Sequence, residues 1–356
     1  MLKCLRVVSL YDGISCARVA LERAGYAVSH YVAYEINKYA KSISRYNYPD
    51  IVHSGDVLEA DFSPYVGYDI VIVGSPCTFW SISRANKGRE NDKNGMGWKL
   101  FMGFVQAVQQ IKPRNFLYEN VASMPSNIKD YISEALGCNP ILINSALVSA
   151  QHRKRLYWAN ITDITQPEDR GILLKDILDN GLSVKNKTQA LPVIKHQKAG
   201  LFVAGEVGAA LRTREDENGR FKRQEVRHDG KLNALTTVQT DSIICSPIRI
   251  GQLGNGGQGE RIYSVSGKSV SIKSQGGGGG ALTGLYKVAL PDGDYTTRKL
   301  TPIEAERCQT LDDGYTAFGI DDNGKTVKIS NTQRYRAIGN GFSVDVIAHI
   351  LRHMKP

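Results

Sequence analysis

The stretch DIVIVGSPC, residues 69–77, decides the fold that the sequence predicts. After an opening aspartate comes an apolar run, suited to a strand in the middle of a parallel sheet, and Gly-Ser ends it. Pro76 then presents Cys77 at the carboxyl end of the strand, the edge where open α/β sheets bind ligands. A single cysteine is more often a small buried hydrophobe, so the interpretation of Cys77 depends on its surroundings.

Short β-like runs alternate with helical patterns on both sides of this stretch. The runs span 5–10, 28–35, 51–56, 114–121, 141–148 and 155–161. Between them, residues 98–111 carry apolar side chains at helical spacing. The alternation predicts a doubly wound, Rossmann-like α/β domain.

The composition and the hydrophobic pattern of the chain change after about residue 175. Twelve of its 35 glycines lie between Gly251 and Gly284, among short strand-like pieces. We therefore expect a first part of the main domain at 1–175 and a smaller, loop-rich, mainly β domain at 176–297. Helical signals return with a capping box at residues 301–304 and an apolar helix face at 343–354, so 298–356 is expected to rejoin the main domain.

Composition narrows the function classes. The net charge of +10 favours a polyanionic partner. Six cysteines occur without any C-x-x-C pair or zinc spacing, which predicts no metal site and free thiols in a reducing cytoplasm. No apolar stretch approaches the roughly 18 to 20 residues needed to span a bilayer, so no membrane contact is expected. The N-terminus is typical of a first strand and not of a signal peptide.

Polar residues follow several of the predicted strands. Gly13 sits in the turn SLYDGIS, where a ligand can approach the backbone, although a plain strand-to-helix turn explains it equally well. Glu35 ends the second strand, where an acid can bind the ribose hydroxyls of an adenosine-type cofactor, and Asp56 ends the third.

Glu119 ends the apolar run of the fifth strand, where an unpaired carboxylate is costly. It is either the ligand of a helix N-terminus or the partner of a polar substrate. Arg153 and Arg155 alternate with Lys154, so in an extended chain both arginines face one side. They form either a solvated edge or a clamp for an anion or a carbonyl.

In their order, these segments resemble the DNA cytosine-5 methyltransferases of bacterial or phage type. The matching pieces are SLYDG, the acid Glu35, GSPC, ENV, the Q-x-R-x-R form of QHRKR, RKLTPIEAERCQTL and YRAIGNGFSVDVI. The resemblance covers residues 4–161 and 298–351. It implies an S-adenosylmethionine-dependent enzyme that methylates carbon 5 of a flipped-out cytosine in a specific double-stranded DNA sequence and releases S-adenosylhomocysteine.

The resemblance also implies roles for individual residues. Cys77 would attack carbon 6 of the base, Glu119 would hold N3 and the exocyclic amine, and Arg155, with Arg153, would hold O2. Asn120 would keep the Pro-Cys loop in place. The implied cofactor-binding residues are Tyr11, Asp12, Gly13, Ile14, Glu35, Ile36, Asp56, Val57, Pro76, Leu100, Asn340, Ser343 and Val344.

DNA contacts are expected from two regions. The polar segment 78–97 would close over the base as a lid, with Ser81, Ser83 and Arg84 at the DNA. The segment 176–297 would read the sequence as a target-recognition domain. Seven basic residues lie within 212–231, and those expected to contact DNA are Arg212, Arg214, Arg223 and Arg227. The alternative for this region is a solvated variable loop.

Three other functions compete with this prediction. A tRNA cytosine-5 methyltransferase shares the catalytic motifs, but generally lacks a large insert like the one separating QHRKR from RKLTP. A non-catalytic nucleic-acid-binding relative should have lost Cys77, Glu119 or Arg155. A nucleotide-dependent oxidoreductase would need a fuller glycine fingerprint. The favoured enzyme is expected to be a monomer in the bacterial nucleoid or an infected host, with or without a cognate restriction endonuclease.

Overall fold

The computed structural model describes residues 4–81, 88–179, 208–216, 219–226, 243–244, 249–252, 260–272, 284–289 and 295–355. Seven strands form the central sheet. They are β1 Cys4–Leu10, β2 Ala27–Tyr34, β3 Val52–Ser54, β4 Ile70–Gly74, β5 Asn115–Val121, β6 Ile141–Asn144 and β7 Lys154–Ala159. Their order across the sheet is β3-β2-β1-β4-β5-β7-β6. The strand order reverses beside β1, so the predicted doubly wound fold is confirmed.

Two details of the sheet differ from the sequence prediction. β7 runs antiparallel to both β5 and β6, a direction that the alternation of strands and helices did not indicate. The strand predicted at 141–148 ends at Asn144, because the side chain of Asn144 accepts a hydrogen bond from the N–H of Ala146 and starts a 3-10 turn. A side chain that bonds its own backbone two residues on competes with strand pairing.

Seven α-helices accompany the sheet in the described part of the chain. They are α1 Cys16–Arg23, α2 Lys38–Asn47, α3 Met96–Ile111, α4 Ser126–Leu136, α5 Pro302–Cys308, α6 Asn331–Asn340 and α7 Val344–Leu351. Alternate residues of β4 enter different hydrophobic cores: Ile70 and Ile72 pack with α1, α2 and α7, and Val71 and Val73 pack with α3 and α4. β4 is therefore buried on both faces, which explains its continuous apolar run.

The last part of the chain packs onto the first. Arg23 at the end of α1 pairs with Asp345 in α7 at 2.9 Å, and the hydroxyl of Tyr26 donates to the carbonyl of Leu351. At the start of α5, Thr301 and Glu304 form the predicted capping box. These contacts close one face of the sheet with residues from both ends of the chain.

The described part of 208–298 forms two small sheets. The first contains β8 Gly208–Asp216, β9 Gly219–Val226 and β10 Ile243–Ile244. The second contains β11 Arg249–Gln252, β12 Arg261–Ser264, β13 Leu285–Ala289 and β14 Tyr295–Arg298. Residues 260–272 pack against the main domain: the Ser269 N–H donates to Ala150, and the Leu174 N–H donates to Gly267. No helix among the described residues is long and apolar enough to cross a membrane.

Candidate active site

Cys77 stands where β4 has ended, in a 3-10 turn that starts at the carboxyl edge of the sheet. Pro76 has φ −52°, and the N–H of Ser81 donates to the Cys77 carbonyl, so the turn is fixed on both sides. The Cys77 side chain is half-buried. By contrast, burial raises the pKa of Cys16 and Cys308 to about 12 and keeps those thiols protonated. Of the five cysteines in the described residues, Cys77 is the one that directly follows a strand at this edge and is not buried; Cys16, after the turn that follows β1, is buried.

Gly74 allows a close approach just before that turn. A Cβ atom at this position would lie 2.8 Å from the ring of Phe342, so the phenyl ring packs directly on the backbone of β4. In the parallel pairing of β4 with β5, Gly74 is opposite Glu119. The same edge therefore brings the strand that precedes Cys77 beside the predicted carboxylate.

Glu119 and Arg155 form a nearly buried ion pair. Arg155 Nε lies 2.8 Å from Glu119 Oε1, and the two side chains are 13% and 10% exposed. The antiparallel register of β5 and β7 places Arg155 opposite Val121, so Glu119 is its diagonal neighbour. A second guanidinium nitrogen donates to the Lys154 carbonyl, which fixes the orientation of the fork.

Arg153 and Asn120 differ from their expected positions. The Arg153 side chain does not join the Glu119–Arg155 pair but is buried, and it donates to the carbonyls of Ile272, Gly339 and Gly341. Asn120 was expected to hold the Pro-Cys loop. Both of its side-chain hydrogen bonds in the described residues go instead to β5, to the Tyr118 hydroxyl and the Val121 N–H.

Glu35 closes the turn that follows β1. One of its carboxylate oxygens accepts from the N–H of Gly13 at 2.9 Å, and the other accepts from the N–H of Asn37 at 2.6 Å. Gly13 has φ +63°, and the space beside its α-carbon is open to 4 Å. Burial raises the pKa of Glu35, and the two N–H groups oppose that shift. Each oxygen retains a lone pair, so the carboxylate can still accept hydroxyl donors.

The side chains of Asp12 and Ile14 in this turn point into the protein. Asp12 accepts from the hydroxyls of Tyr31 at 2.6 Å and Ser15 at 2.5 Å, and burial raises its pKa. Ile14 is fully buried, and its carbonyl accepts from the hydroxyl of Tyr315. Only the backbone of these two residues is left for the predicted ligand contact.

The residues expected around adenine come together at the next strand ends. The Tyr11 hydroxyl donates to the Leu100 carbonyl at 2.9 Å. Asp56 caps the following turn through the Leu58 N–H. A Cβ atom at Gly103 would meet Val57 at 2.9 Å, so glycine lets α3 approach this wall. The side chain of Ile36, beside Glu35, is 71% exposed.

The tail residues divide into two groups. Asn340, at the end of α6, is exposed. Val344 is fully buried, and the buried Ser343 hydroxyl donates to Gln309 and accepts from Ser145. Ser343 and Val344 therefore position the chain beside Asn340 and do not offer side chains to a ligand.

The end of the predicted lid is fixed to the main domain. Arg89 donates to the carbonyls of Trp80 and Ser123. Glu90 accepts from the N–H groups of Met96 and Gly97 and so caps α3. Ser81 is partly exposed beside Cys77, whereas Ser83 and Arg84 lie outside the described residues.

The basic residues expected to read DNA lie partly on the first small sheet. In the antiparallel register of β8 and β9, Arg212 is opposite Arg223 and Arg214 is opposite Phe221. Arg227 lies outside the residues that the structure describes. Within the described ranges, no group of three or more His, Cys, Asp or Glu residues could hold a metal ion.

Some residues that build the site were not identified from the sequence. Phe342 and Gln309 lie in the C-terminal motifs and Tyr315 lies between them, so the resemblance marked their neighbourhood but not their contacts. Tyr31 lies inside the second strand, and nothing in the sequence separates it from an ordinary core tyrosine.

This sheet order, with an acid after β2 and a thiol after β4, defines a Rossmann-like methyltransferase. The chain belongs to the C-5 cytosine-specific DNA methylase family, whose profile matches residues 5–356.

Relatives with known names agree with this family. The chain is 26% identical over 349 residues to the type II methyltransferase M.HhaI of Haemophilus parahaemolyticus, covering 97% of this chain and 93% of that protein. It is 27% identical to the orphan methyltransferase M.Rho11sI of Bacillus phage rho11s, covering 81% and 61%. Among solved structures, the Entamoeba histolytica methyltransferase EhMeth shares the fold with a TM-score of 0.63 and 14% identity, over 99% of this chain and 98% of that one.

Proposed function

We propose that the chain transfers a methyl group from S-adenosylmethionine to carbon 5 of a cytosine flipped out of double-stranded DNA. The observation that carries this proposal is the position of Cys77 at the same sheet edge as the Glu119–Arg155 pair. The family, and relatives described as type II and orphan methyltransferases, support it.

The chemistry explains why a thiol is needed. Carbon 5 of cytosine is a poor nucleophile. When the Cys77 thiolate bonds to carbon 6, electron density moves to carbon 5, which can then attack an electrophilic methyl group. A base next removes the proton from carbon 5, and the bond between Cys77 and carbon 6 breaks to restore the ring. A stacked base cannot reach Cys77, so the cytosine must leave the helix at a cost of a few kcal/mol.

Glu119 and Arg155 polarise the base in this proposal. Glu119 accepts a hydrogen bond from the exocyclic amine and, when it carries a proton, donates that proton towards N3, which makes carbon 6 more electrophilic. Arg155 donates to O2, where negative charge develops during thiolate addition. Their contact at 2.8 Å keeps both groups oriented before the base enters, which lowers the reorganisation needed during reaction.

Glu35 and its neighbours fit the methyl donor. The carboxylate is held by two N–H groups and can accept the ribose hydroxyls. Ile36 and Val57 supply apolar surface for adenine beside Asp56, and Tyr11 and Leu100 close the wall. Pro76 and Asn340 are assigned to the same donor site. When bound, S-adenosylmethionine supplies the electrophilic methyl group.

Sequence choice is assigned to 176–297, with Arg212, Arg214, Arg223 and Arg227 as its DNA contacts and Ser81, Ser83 and Arg84 contacting DNA near the base. The protein is proposed to act as a monomer in the cytoplasm. The proposal does not specify a cognate endonuclease, because one relative is a type II methyltransferase and another is an orphan methyltransferase.

The test is methylation-sensitive sequencing of DNA from cells that express the wild type or Cys77→Ala. We expect 5-methylcytosine at one short sequence with the wild type and at none with the variant. Methyl transfer to purified tRNA, measured in parallel with a labelled donor, checks the RNA alternative. The proposal would be overturned if the tRNA acquired labelled methyl groups and the DNA did not.

A further inference from the structure

Arg153 is the arginine of the Q-x-R-x-R segment that has no role in the proposed reaction. Its side chain is buried, and the residue is only 5% exposed. One terminal nitrogen donates to the Ile272 carbonyl at 3.3 Å. The other donates to the carbonyls of Gly339 at 3.3 Å and Gly341 at 3.1 Å. A single guanidinium thus joins three main-chain carbonyls from two distant segments.

Those two segments belong to different parts of the proposed enzyme. Ile272 lies within the range assigned to DNA recognition, at the end of the piece that packs on the main domain. Gly339 and Gly341 flank Asn340, which is assigned to the methyl donor. Arg153 itself precedes β7, two residues before Arg155, and its carbonyl accepts from the N–H of Ser145.

Gln151 reinforces the same connection. Its side-chain oxygen accepts from the N–H of Ile272 at 3.2 Å, and its nitrogen donates to the Cys308 carbonyl at 3.1 Å. Gln309, the next residue, donates to the carbonyls of Ile338 and Gly341. The buried polar cluster, defined here as Gln151, Arg153 and Gln309, therefore ties Ile272 to the end of α6 by two routes.

Burial makes this connection stiff. A guanidinium away from water needs its acceptors, and the loss of one leaves a charged donor unsatisfied. Burial, followed by the charge of Arg155, lowers the pKa of Arg153 to about 10. A shift of Ile272 relative to Gly339 and Gly341 would therefore be costly, so the positions of the two segments depend on each other.

We propose that Arg153 is a positioning residue that couples DNA binding by the recognition segment to methyl-donor binding beside Asn340. This inference rests on the proposed function. Because such coupling is reciprocal, DNA should tighten donor binding by the same factor as the donor tightens DNA binding.

The experiment measures the affinity of the full-length protein for S-adenosylhomocysteine by calorimetry, with and without sonicated unmethylated phage lambda DNA. In the wild type we expect DNA to raise the affinity about 5-fold or more. In Arg153→Lys and Arg153→Gln, the ratio of the affinity with DNA to the affinity without DNA should fall towards 1. The affinity without DNA should stay within about 3-fold of the wild type, a smaller change than the expected coupling. The change in the ratio distinguishes positioning from a general loss of structure.

Lys268 supplies a matched control. It is also a buried cation, and its ammonium donates to the carbonyls of Ala146, Ser149 and Ile172. These three acceptors belong to the main domain and lie outside α6, so Lys268 fixes the same recognition piece at other points. Lys268→Met should therefore keep the wild-type ratio.

Three results would overturn the inference: no coupling in the wild type, an unchanged ratio in the Arg153 variants, or an equal loss in Lys268→Met. If the Arg153 variants fail to fold, Gln151→Leu decides: it removes the second of the two ties to Ile272 and should lower the ratio part of the way, and an unchanged ratio would overturn the inference. A wild type that does not bind S-adenosylhomocysteine would instead remove the proposed function.

Discussion

Arg155 and Glu119 meet across the antiparallel pair β5–β7, with Nε 2.8 Å from Oε1, before any base is present. The pair is almost excluded from water, so removing one partner leaves the other charge buried. An incoming cytosine offers both groups new partners at once. The ion pair thus holds both side chains in place at the sheet edge where Cys77 stands.

Cys77→Ser should abolish methyl transfer and leave DNA binding largely intact. A hydroxyl is far less ionised than a thiol at neutral pH, so addition to carbon 6 fails although the pocket keeps its shape. Labelled-methyl incorporation and a gel-shift assay measure the two effects. The wild type should also become covalently trapped on DNA that contains 5-fluorocytosine, because fluorine cannot leave as a proton does. Substantial turnover by the serine variant would exclude the covalent mechanism.

Glu119→Gln should lower the rate of methyl transfer at least about 100-fold, as expected when a charge-stabilising group is lost. It should also lower the free energy of unfolding, because Arg155 is left as an unpaired buried cation. Single-turnover kinetics and urea denaturation measure these two changes. Combining it with Arg155→Met should recover stability but not activity. A double variant as unstable as Glu119→Gln would mean that the pair does not act as a unit.

Glu35→Gln should weaken binding of S-adenosylhomocysteine about 10-fold or more, since hydrogen bonds to a charged group contribute roughly 1.5–3 kcal/mol. Calorimetry measures this directly. Glu22→Gln is the control, because Glu22 is an exposed acid of α1 that contacts Arg18 and Tyr48. Equal affinity in all three proteins would place the donor elsewhere.

His53 should make the folded protein sensitive to acid. Burial, followed by the charges of Arg45 and Lys41, lowers its pKa from 6.5 to about 4. Between these values the unfolded chain binds more protons than the folded one, so stability rises with pH and is lost as the pH falls from 6.5 towards 4. His53→Gln should therefore show a smaller fall in the free energy of unfolding between pH 7 and pH 5. Parallel urea titrations test this, and an identical fall in both proteins would contradict it.

Gly74→Ala should destabilise the protein by about 1–3 kcal/mol, the usual cost of overpacking. The new methyl group would lie 2.8 Å from the ring of Phe342 and would push β4 or the ring aside. A second substitution, Phe342→Leu, should relieve part of this loss in the double variant. Urea denaturation of the two single variants and the double variant measures the interaction, and strictly additive effects would argue against it.

The sequence predicted best where local pattern and burial agree. The run at 69–75 reads as a strand because every residue of β4 from Ile70 to Val73 is buried by one core or the other. The capping box of α5 was equally predictable, since its two hydrogen bonds join residues three positions apart.

Prediction was weakest where the position of a side chain depends on distant segments. Arg153 and Arg155 were expected to share one side of an extended chain, but β7 begins at Lys154, so the alternation does not extend to Arg153. The spacing of residues near Arg153 cannot predict its acceptors, because the carbonyls of Ile272, Gly339 and Gly341 lie far away along the chain. The inward turn of Asp12 likewise depends on Tyr31, which belongs to the next strand.

The contact between Gly74 and Phe342 also sets an order of events during synthesis. A ribosome finishes the strand that precedes Cys77 long before it makes the ring that rests on that strand. A nascent chain therefore carries Cys77 before the ring that packs on Gly74 exists, and a product cut short before Phe342 lacks that contact. Methyl transfer is therefore expected only from chains that extend past Phe342.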